Sequence, residues 1–347
     1  MGNPYIQIDK RKIGFDFEPI VIAEIGINHG GSIDTAIYLA DLAINEGAEV
    51  IKHQTHIAKD EMSDAAKKVI PSHTKDSIYN IIENSQLSEK DEFKLMQHVK
   101  SRRSIFMSTP FSKQAVDRLL KFDVPAFKIG SGECNNLPLL SYIASFGKPI
   151  ILSTGMNNFE SIDKAVAILR KNKIQFCLNH CTNVYPTPYD QVRLDCLTDL
   201  KKRYDDAVIG LSDHTQSNYT CLGAISLGAS ILEKHFTDNF ERVGPDISCS
   251  MDPNNLKDLI HGSKILFKAR GNLKQATNDE LLTLNFANAS VVAIKDIAEG
   301  EILNRENIWV KRPGNGDFLA SDYENLIGKK VNRNIKNGEQ IMKDIFN

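Results

Sequence analysis

Two short apolar runs in this chain end in histidine, Gly-Leu-Ser-Asp-His214 and Leu-Glu-Lys-His235. If folding brings their imidazoles together, two ring nitrogens with water and substrate oxygens suit a Mn, Fe, Co or Zn ion. The alternative is that each ring hydrogen-bonds within the fold, and with no HExxH or HxH element both readings stay open. Glu24, Glu133, Asp213 and Glu233 stand at comparable positions and could donate oxygen or orient the ligands. Lys52 and Lys128 sit in two other apolar runs, where a lone cation is costly unless it meets an anion. The pair therefore asks for an anionic substrate. Ser108, Thr109, Ser131, Ser153, Thr154, Asn183 and Ser212 add hydroxyl and amide donors, while Gly130, Gly132 and Gly155 let backbone N–H groups approach, a combination suited to phosphate and carboxylate. The hydroxyls could instead cap following helices, which leaves the lysines unexplained. No Walker loop or GxGxxG is present, which argues against a nucleotide.

These residues need elements that gather them at one place. Eight apolar runs begin at Pro19, Val50, Ser104, Ala126, Pro149, Gln175, Ala207 and Ser230, and each ends in polar or charged residues. They read as strands buried on both faces. Stretches of helical length lie between most of them, among them IDTAIYLADLAINEG, KQAVDRLLKF, SIDKAVAILRK and NYTCLGAISLGA. Eight β/α units in about 250 residues match a (β/α)8 TIM barrel, whose chemistry sits at the carboxyl ends of its strands. A doubly wound open sheet competes, because periodicity does not show closure. On the second strand Lys52, Gln54 and His56 share one face, and Lys52 and Gln54 are expected in the cavity. The widest connection follows that strand, and Pro71-Ser72-His73-Thr74-Lys75-Asp76-Ser77 reads as an active-site loop.

Composition sets limits on partners and location. The chain has 347 residues, 41% apolar and 25% charged, with a net charge of -2. That balance gives no overall basic bias toward nucleic acid. No apolar run approaches a membrane span and the amino terminus has no signal-peptide core, so a cytoplasmic protein is expected. The six cysteines form no CxxC pair and read as buried reduced thiols. Cys181 adjoins His180, but neighbours on a strand point to opposite faces.

The composition changes after Gly271. A barrel domain is expected over 1–270, a polar linker over 271–286 and a second domain over 287–347. KDIAEGEILNRENI from Lys295 resembles RNIKNGEQIMKDIF from Arg333, with Gly300 and Gly338 equivalent, so the tail should be short strands and turns. Between the copies, Trp309 to Asp317 forms a loop with Lys311, Arg312, Pro313, Gly314 and Gly316, either a solvated turn or a basic loop that reaches an anion or polar ligand.

The ordered motifs EIGINHGG, KHQTH, FMSTPF, FKIGSGECNN, ILSTGM, HCTNVYPTP, GLSDHT, EKHFT, GPDISCSMDP and WVKRPGNGDF resemble the bacterial N-acetylneuraminate (sialic acid) synthase family over nearly the whole chain. The resemblance implies a TIM barrel followed by a β-rich antifreeze-like (SAF) domain, in a domain-swapped homodimer whose tail covers the partner's site. It implies condensation of phosphoenolpyruvate with the open-chain aldehyde of N-acetylmannosamine, releasing phosphate by C–O cleavage. A divalent ion, Mn2+ first and Mg2+ or Co2+ as alternatives, would sit at His214 and His235.

Residue by residue, the resemblance sets phosphoenolpyruvate against Lys52, Thr109, Lys128, Ser131, Ser153, Asn183 and Ser212. It sets the amino sugar against Glu24, Gln54, Tyr185, Asp246 and, from the partner, Arg312, with Glu133 and Glu24 as the catalytic carboxylates. One motif departs: the family's Gly-Asn after Val-Ile-Pro is Ser72-His73 here, which puts His73 at the sugar and keeps a related hexosamine, such as the precursor of legionaminic acid, in play. A 6-phosphorylated acceptor would need further cations, and no basic cluster stands out for it. A non-catalytic sugar-binding protein would need a broken site, and a metal-dependent hydrolase a fuller ligand set.

Overall fold

Alternation within the apolar runs decides which residues reach the site. The computed structural model describes residues 2–70, 76–271 and 273–346, which divide into two units, Met1–Gly271 and Asn272–Asn347. The first begins with strands β1 (Tyr5–Ile8) and β2 (Arg11–Gly14), an antiparallel hairpin turning at Asp9 with φ 53°. Eight parallel strands follow: β3 (Ile20–Gly26), β4 (Val50–Thr55), β5 (Ile105–Pro110), β6 (Phe127–Ile129), β7 (Ile150–Ser153), β8 (Phe176–Cys181), β9 (Val208–Asp213) and β10 (Ile231–His235). Their order is β5-β4-β3-β10-β9-β8-β7-β6, and β5 and β6 come together to close the ring. The open-sheet alternative is thereby removed.

The two faces of each strand separate cleanly. Val21, Ala23, Ile25, Ile51, Phe106, Leu152, Leu178 and Leu232 point outward and pack on the helices. Ile20, Ile22, Val50, Met107, Ala126, Ile151, Cys177, Val208 and Ile231 point inward at the amino end, where hairpin residues Ile6, Ile8 and Ile13 plug the ring. Each such isoleucine contributes roughly 1.5–3 kcal/mol by leaving water. Continuing with period two on the same face, the inner positions become Glu24, Lys52, Thr109, Lys128, Ser153, Ser212 and Glu233.

The helices take their caps from another set of side chains. Ser32, Ser88 and Ser112 accept from backbone N–H groups in the first turns of Ile33–Asn45, Glu89–Ser101 and Lys113–Lys121. Asn158 does so for Phe159–Lys171. Ser131 precedes the 3-10 turn Gly132–Asn135 without a capping bond. Capping therefore does not account for the serines and threonines on the inner face.

The connection after β4 carries short elements on either side of the expected loop. It contains a short helix, Ala58–Glu61, a 3-10 stretch, Asp64–Lys68, and the helix Ile78–Ser85, whose cap is Ser77. His73, with Pro71, Ser72, Thr74 and Lys75, lies outside the described residues. The stretch expected as linker ends in a helix, Glu280–Ala287, because Glu280 accepts from Thr277 N–H and ELLTLNFA lacks Gly and Pro.

In the second unit, β11 (Ser290–Ala293) pairs antiparallel with β12 (Ile308–Lys311). The two near-repeats pair with each other, Ile297 and Ile335 exchanging N–H···O bonds of 2.9 Å each way. Gly300 and Gly338, at φ 84° and 88°, make the equivalent turns. Val291, Ile297, Leu303, Ile308, Val331, Ile335 and Ile341 form this unit's own core.

Candidate active site

The carboxyl ends of the barrel strands surround a cavity of about 200 Å3. Of the residues expected to carry chemistry, Glu24, Lys52, Gln54, Thr109, Lys128, Ser131, Glu133, Ser153, Asn183, Tyr185, Ser212, His214 and His235 all line it. Asp246 lies behind, its Oδ2 3.5 Å from His235 Nδ1. Arg312 belongs to the second unit, exposed at the end of β12. There Gly316 N–H donates to Ser290 Oγ and Gly314 N–H to the Asn285 carbonyl, so the loop is a pinned turn.

The lysines find carboxylates within the protein. Lys52 Nζ is 2.7 Å from Glu24 Oε2 and donates to Thr109 Oγ1 at 3.2 Å. Glu233 Oε1 lies 3.7 Å from Lys52 and 3.3 Å from Lys128, and accepts from Ser212 Oγ at 3.2 Å. Lys128 donates to Ser153 Oγ at 2.8 Å. The inference that these cations demand a substrate anion is therefore corrected: Glu24 and Glu233 already balance them. Burial works against the charge on Lys52, yet Glu233 and Glu24 hold its pKa above the usual lysine value. Burial likewise opposes ionisation of Glu233, and Lys128 and Lys52 overcome it and keep the group a carboxylate.

Glu133 behaves in the opposite way. It stands on the turn Gly132–Asn135, and its Oε2 closes on Gly130 so tightly that a Cβ there would fall 2.6 Å from it. Burial, reinforced by Glu61, raises its pKa above the ordinary glutamate value, against His56 and Lys128. A carboxyl poised to take or give a proton results. At Gly155 a side chain would collide with Asn183 Oδ1, and the bare backbone N–H there donates to Ser131 Oγ at 3.1 Å.

The two histidines converge, with ring centroids 5.4 Å apart and Tyr185 4.1 Å from His214. His214 Nδ1 donates to the Thr182 carbonyl at 2.8 Å, which leaves Nε2 with a lone pair. Burial holds His235 neutral, its pKa lowered to about 3. Among the described residues no three His, Cys, Asp or Glu side chains cluster as a complete ligand set. Cys181 Sγ lies 4.0 Å from His214 Nδ1. Burial works to lower the His214 pKa, but this thiol and the Thr182 carbonyl turn the balance upward, so a cation would compete with a proton there. Asn183 Oδ1 and Glu233 Oε2 are buried without hydrogen-bond partners, while His235 Nδ1 faces Asp246 Oδ2 at 3.5 Å.

One sequence reading changes here and another holds. Asp213 faces outward, ion-paired with Lys234 at 2.6 Å and bonded to Thr215, so it is not an oxygen donor to the cavity. His180 bonds the Val192 carbonyl on the outer face, while Cys181 points inward and meets His214 from the next strand. Phe111, unremarked in the sequence, lines the cavity.

A closed parallel barrel with paired lysines, carboxyls and histidines at its carboxyl mouth has the layout of a barrel enzyme. Its residues 39–275 match the NeuB family and residues 288–346 the SAF domain. The chain is 38% identical to the N,N'-diacetyllegionaminic acid synthase of Campylobacter jejuni subsp. jejuni over 93% of its own length and 98% of that protein. It is 29% identical to the human N-acetylneuraminate-9-phosphate synthase, covering 96% and 94%. The crystal structure of the N-acetylneuraminic acid (sialic acid) synthetase of Leptospira borgpetersenii serovar Hardjo-bovis, in complex with citrate, superposes with a TM-score of 0.75 at 28% identity, covering 81% of this chain and 95% of that one. The protein belongs to the NeuB family of sialic, legionaminic and pseudaminic acid synthases. Among the described residues, no helix is long and apolar enough to cross a membrane.

Proposed function

We propose that this protein condenses phosphoenolpyruvate with an open-chain, unphosphorylated N-acyl hexosamine. The observation that carries the reading is the inner-face set Lys52, Thr109, Lys128, Ser153 and Ser212 opposite Glu133 and the two histidines, all in one cavity. C3 of the enol ester forms a bond to the aldehyde carbon, water adds at C2, and the tetrahedral centre expels phosphate as the C2–O bond breaks. Lys52, Lys128 and the hydroxyls hold the anionic groups so that C3 meets the carbonyl carbon. Glu133 moves a proton to or from the water.

The charge balance supports a cation. Phosphate and carboxylate together bring roughly two to three negative charges to a cavity whose two lysines already face Glu24 and Glu233. His214 and His235 would hold a divalent ion, Mn2+ in first place, which supplies Lewis-acid polarisation when bound.

For the acceptor, the diacetamido sugar that leads to legionaminic acid is the preferred reading, on the 38% identity to a synthase named for that product. N-acetylmannosamine, the expectation from the sequence alone, is the second, on the structural likeness to the Leptospira enzyme. A 6-phosphate is disfavoured because Lys52 and Lys128 are the lysines or arginines among the described cavity residues, and this reading gives both to phosphoenolpyruvate. Phosphate release should be followed with all three sugars and added Mn2+. The diacetamido sugar is expected to give the highest kcat/KM. Turnover of the 6-phosphate alone would overturn the acceptor, and no release with any of them would favour a sugar-binding protein without catalysis.

The reading extends to a domain-swapped homodimer in which Arg312 reaches the partner's amino sugar. Arg312→Ala is expected to raise the KM for the amino sugar about tenfold, the size of one lost charge-assisted hydrogen bond. A rise confined to phosphoenolpyruvate would assign the loop to another part of the site.

A further inference from the structure

The amide of Gln54 enters the cavity with its orientation fixed from behind. Glu24 Oε2 is ion-paired with Lys52, and Glu24 Oε1 lies 2.8 Å from Gln54 Nε2. A carboxylate so engaged only accepts, so Gln54 must turn its NH2 toward it. The Gln54 carbonyl then faces His56 Nε2 at 2.9 Å and must receive an N–H. On the other side of the ring, Nδ1 lies 3.0 Å from both oxygens of Glu61, again an acceptor. Glu61 and the Gln54 carbonyl thus hold the ring from either side, and Nε2 is the nitrogen that donates to Gln54. The ring lies flat against Phe111, with centroids 4.3 Å apart and planes 11° from parallel. The side chains of His56 and Glu61 are only 4% and 7% exposed, so water does not readily replace either partner.

Neither His56 nor Glu61 lines the cavity. Glu61 closes the short helix Ala58–Glu61, so the chain Glu24–Gln54–His56–Glu61 runs from the pocket into the connection that follows β4. Without His56 the Gln54 amide has two orientations, differing by exchange of donor and acceptor, and only one is complementary to a given arrangement of sugar hydroxyl and acyl groups.

We propose that His56 and Glu61 form a positioning pair that fixes the Gln54 amide for recognition of the amino sugar. The proposal rests on the synthase reading above. His56→Leu keeps the apolar contact with Phe111 and removes the donor. It is expected to raise the KM for the amino sugar about tenfold, with the KM for phosphoenolpyruvate unchanged. His56→Gln, whose Nε2 falls near the lost ring nitrogen, should bring the amino-sugar KM back to within about twofold of wild type. Glu61→Leu should act like His56→Leu, and provides the same readout should that variant fold poorly. Independently of turnover, long-range 1H–15N correlation is expected to show a proton on His56 Nε2, the signal assigned by its loss in His56→Gln. An unprotonated Nε2, equal rises in both KM values, or no difference between the Leu and Gln variants would overturn the pair. Wild-type protein that releases no phosphate with any amino sugar would overturn the synthase reading and leave the NMR result to decide the pair.

Discussion

Glu133→Gln is expected to lower kcat by about two to four orders of magnitude, the usual range for loss of a positioned proton-transfer group. The amide keeps the shape of the carboxyl against Gly130, so the KM for phosphoenolpyruvate should stay within a factor of about three. Burial and the neighbouring Glu61 raise the Glu133 pKa above that of an ordinary glutamate. If its ionised form takes the proton from water, the rate must fall as pH drops through that raised value. The acid limb of the rate profile should then lie above the usual carboxylate range, and the residual rate of the Gln variant should lose that limb. A limb that persists unchanged in Glu133→Gln would mean that another group titrates, with Glu24 the next to test.

The second large effect belongs to His235. His235→Ala is expected to weaken Mn2+ binding, read by calorimetry, by about 100-fold or more, since loss of even an indirect supporting group costs 10–100-fold. Phosphate release should disappear with it. His235 is neutral, its Nδ1 is turned to Asp246 Oδ2 at 3.5 Å, and the His214 ring stands 5.4 Å away. One imidazole alone, already in contact with Cys181, holds a divalent ion poorly. Undiminished wild-type turnover in excess chelator would remove the metal from the reaction, whatever the calorimetry gave.

The barrel was legible because each strand repeats one pattern: apolar residues that end in polar ones. The parity read on the second strand, Lys52 and Gln54 inward and His53 outward, agrees with the cavity lining. What escaped depends on long-range contacts. That Glu233 would bridge Lys52 and Lys128 follows from ring closure and register, and the spacing along the chain carries no trace of it. Cys181 was judged against its sequence neighbour His180, whereas its partner is His214, 33 residues away on the adjacent strand. The hairpin Tyr5–Ile8 and Arg11–Gly14 passed unnoticed because four-residue strands give too short an alternation to separate from coil. In the sequence His56 only shares a face with Lys52 and Gln54, and its two acceptors appear only once the connection after β4 folds back.

The separation of faces along the barrel strands assigns different work to neighbouring residues. Outward side chains hold the helices, inward ones at the amino end seal the ring, and inward ones at the carboxyl end line the cavity. On the synthase reading, a substitution at Gln54 or Tyr185 can therefore alter which sugar is accepted without disturbing the packing beneath. Relatives named for legionaminic, pseudaminic and neuraminic products are 29–38% identical to this chain, which is the spread expected where the mouth of a barrel can change while the layers that keep it round stay packed.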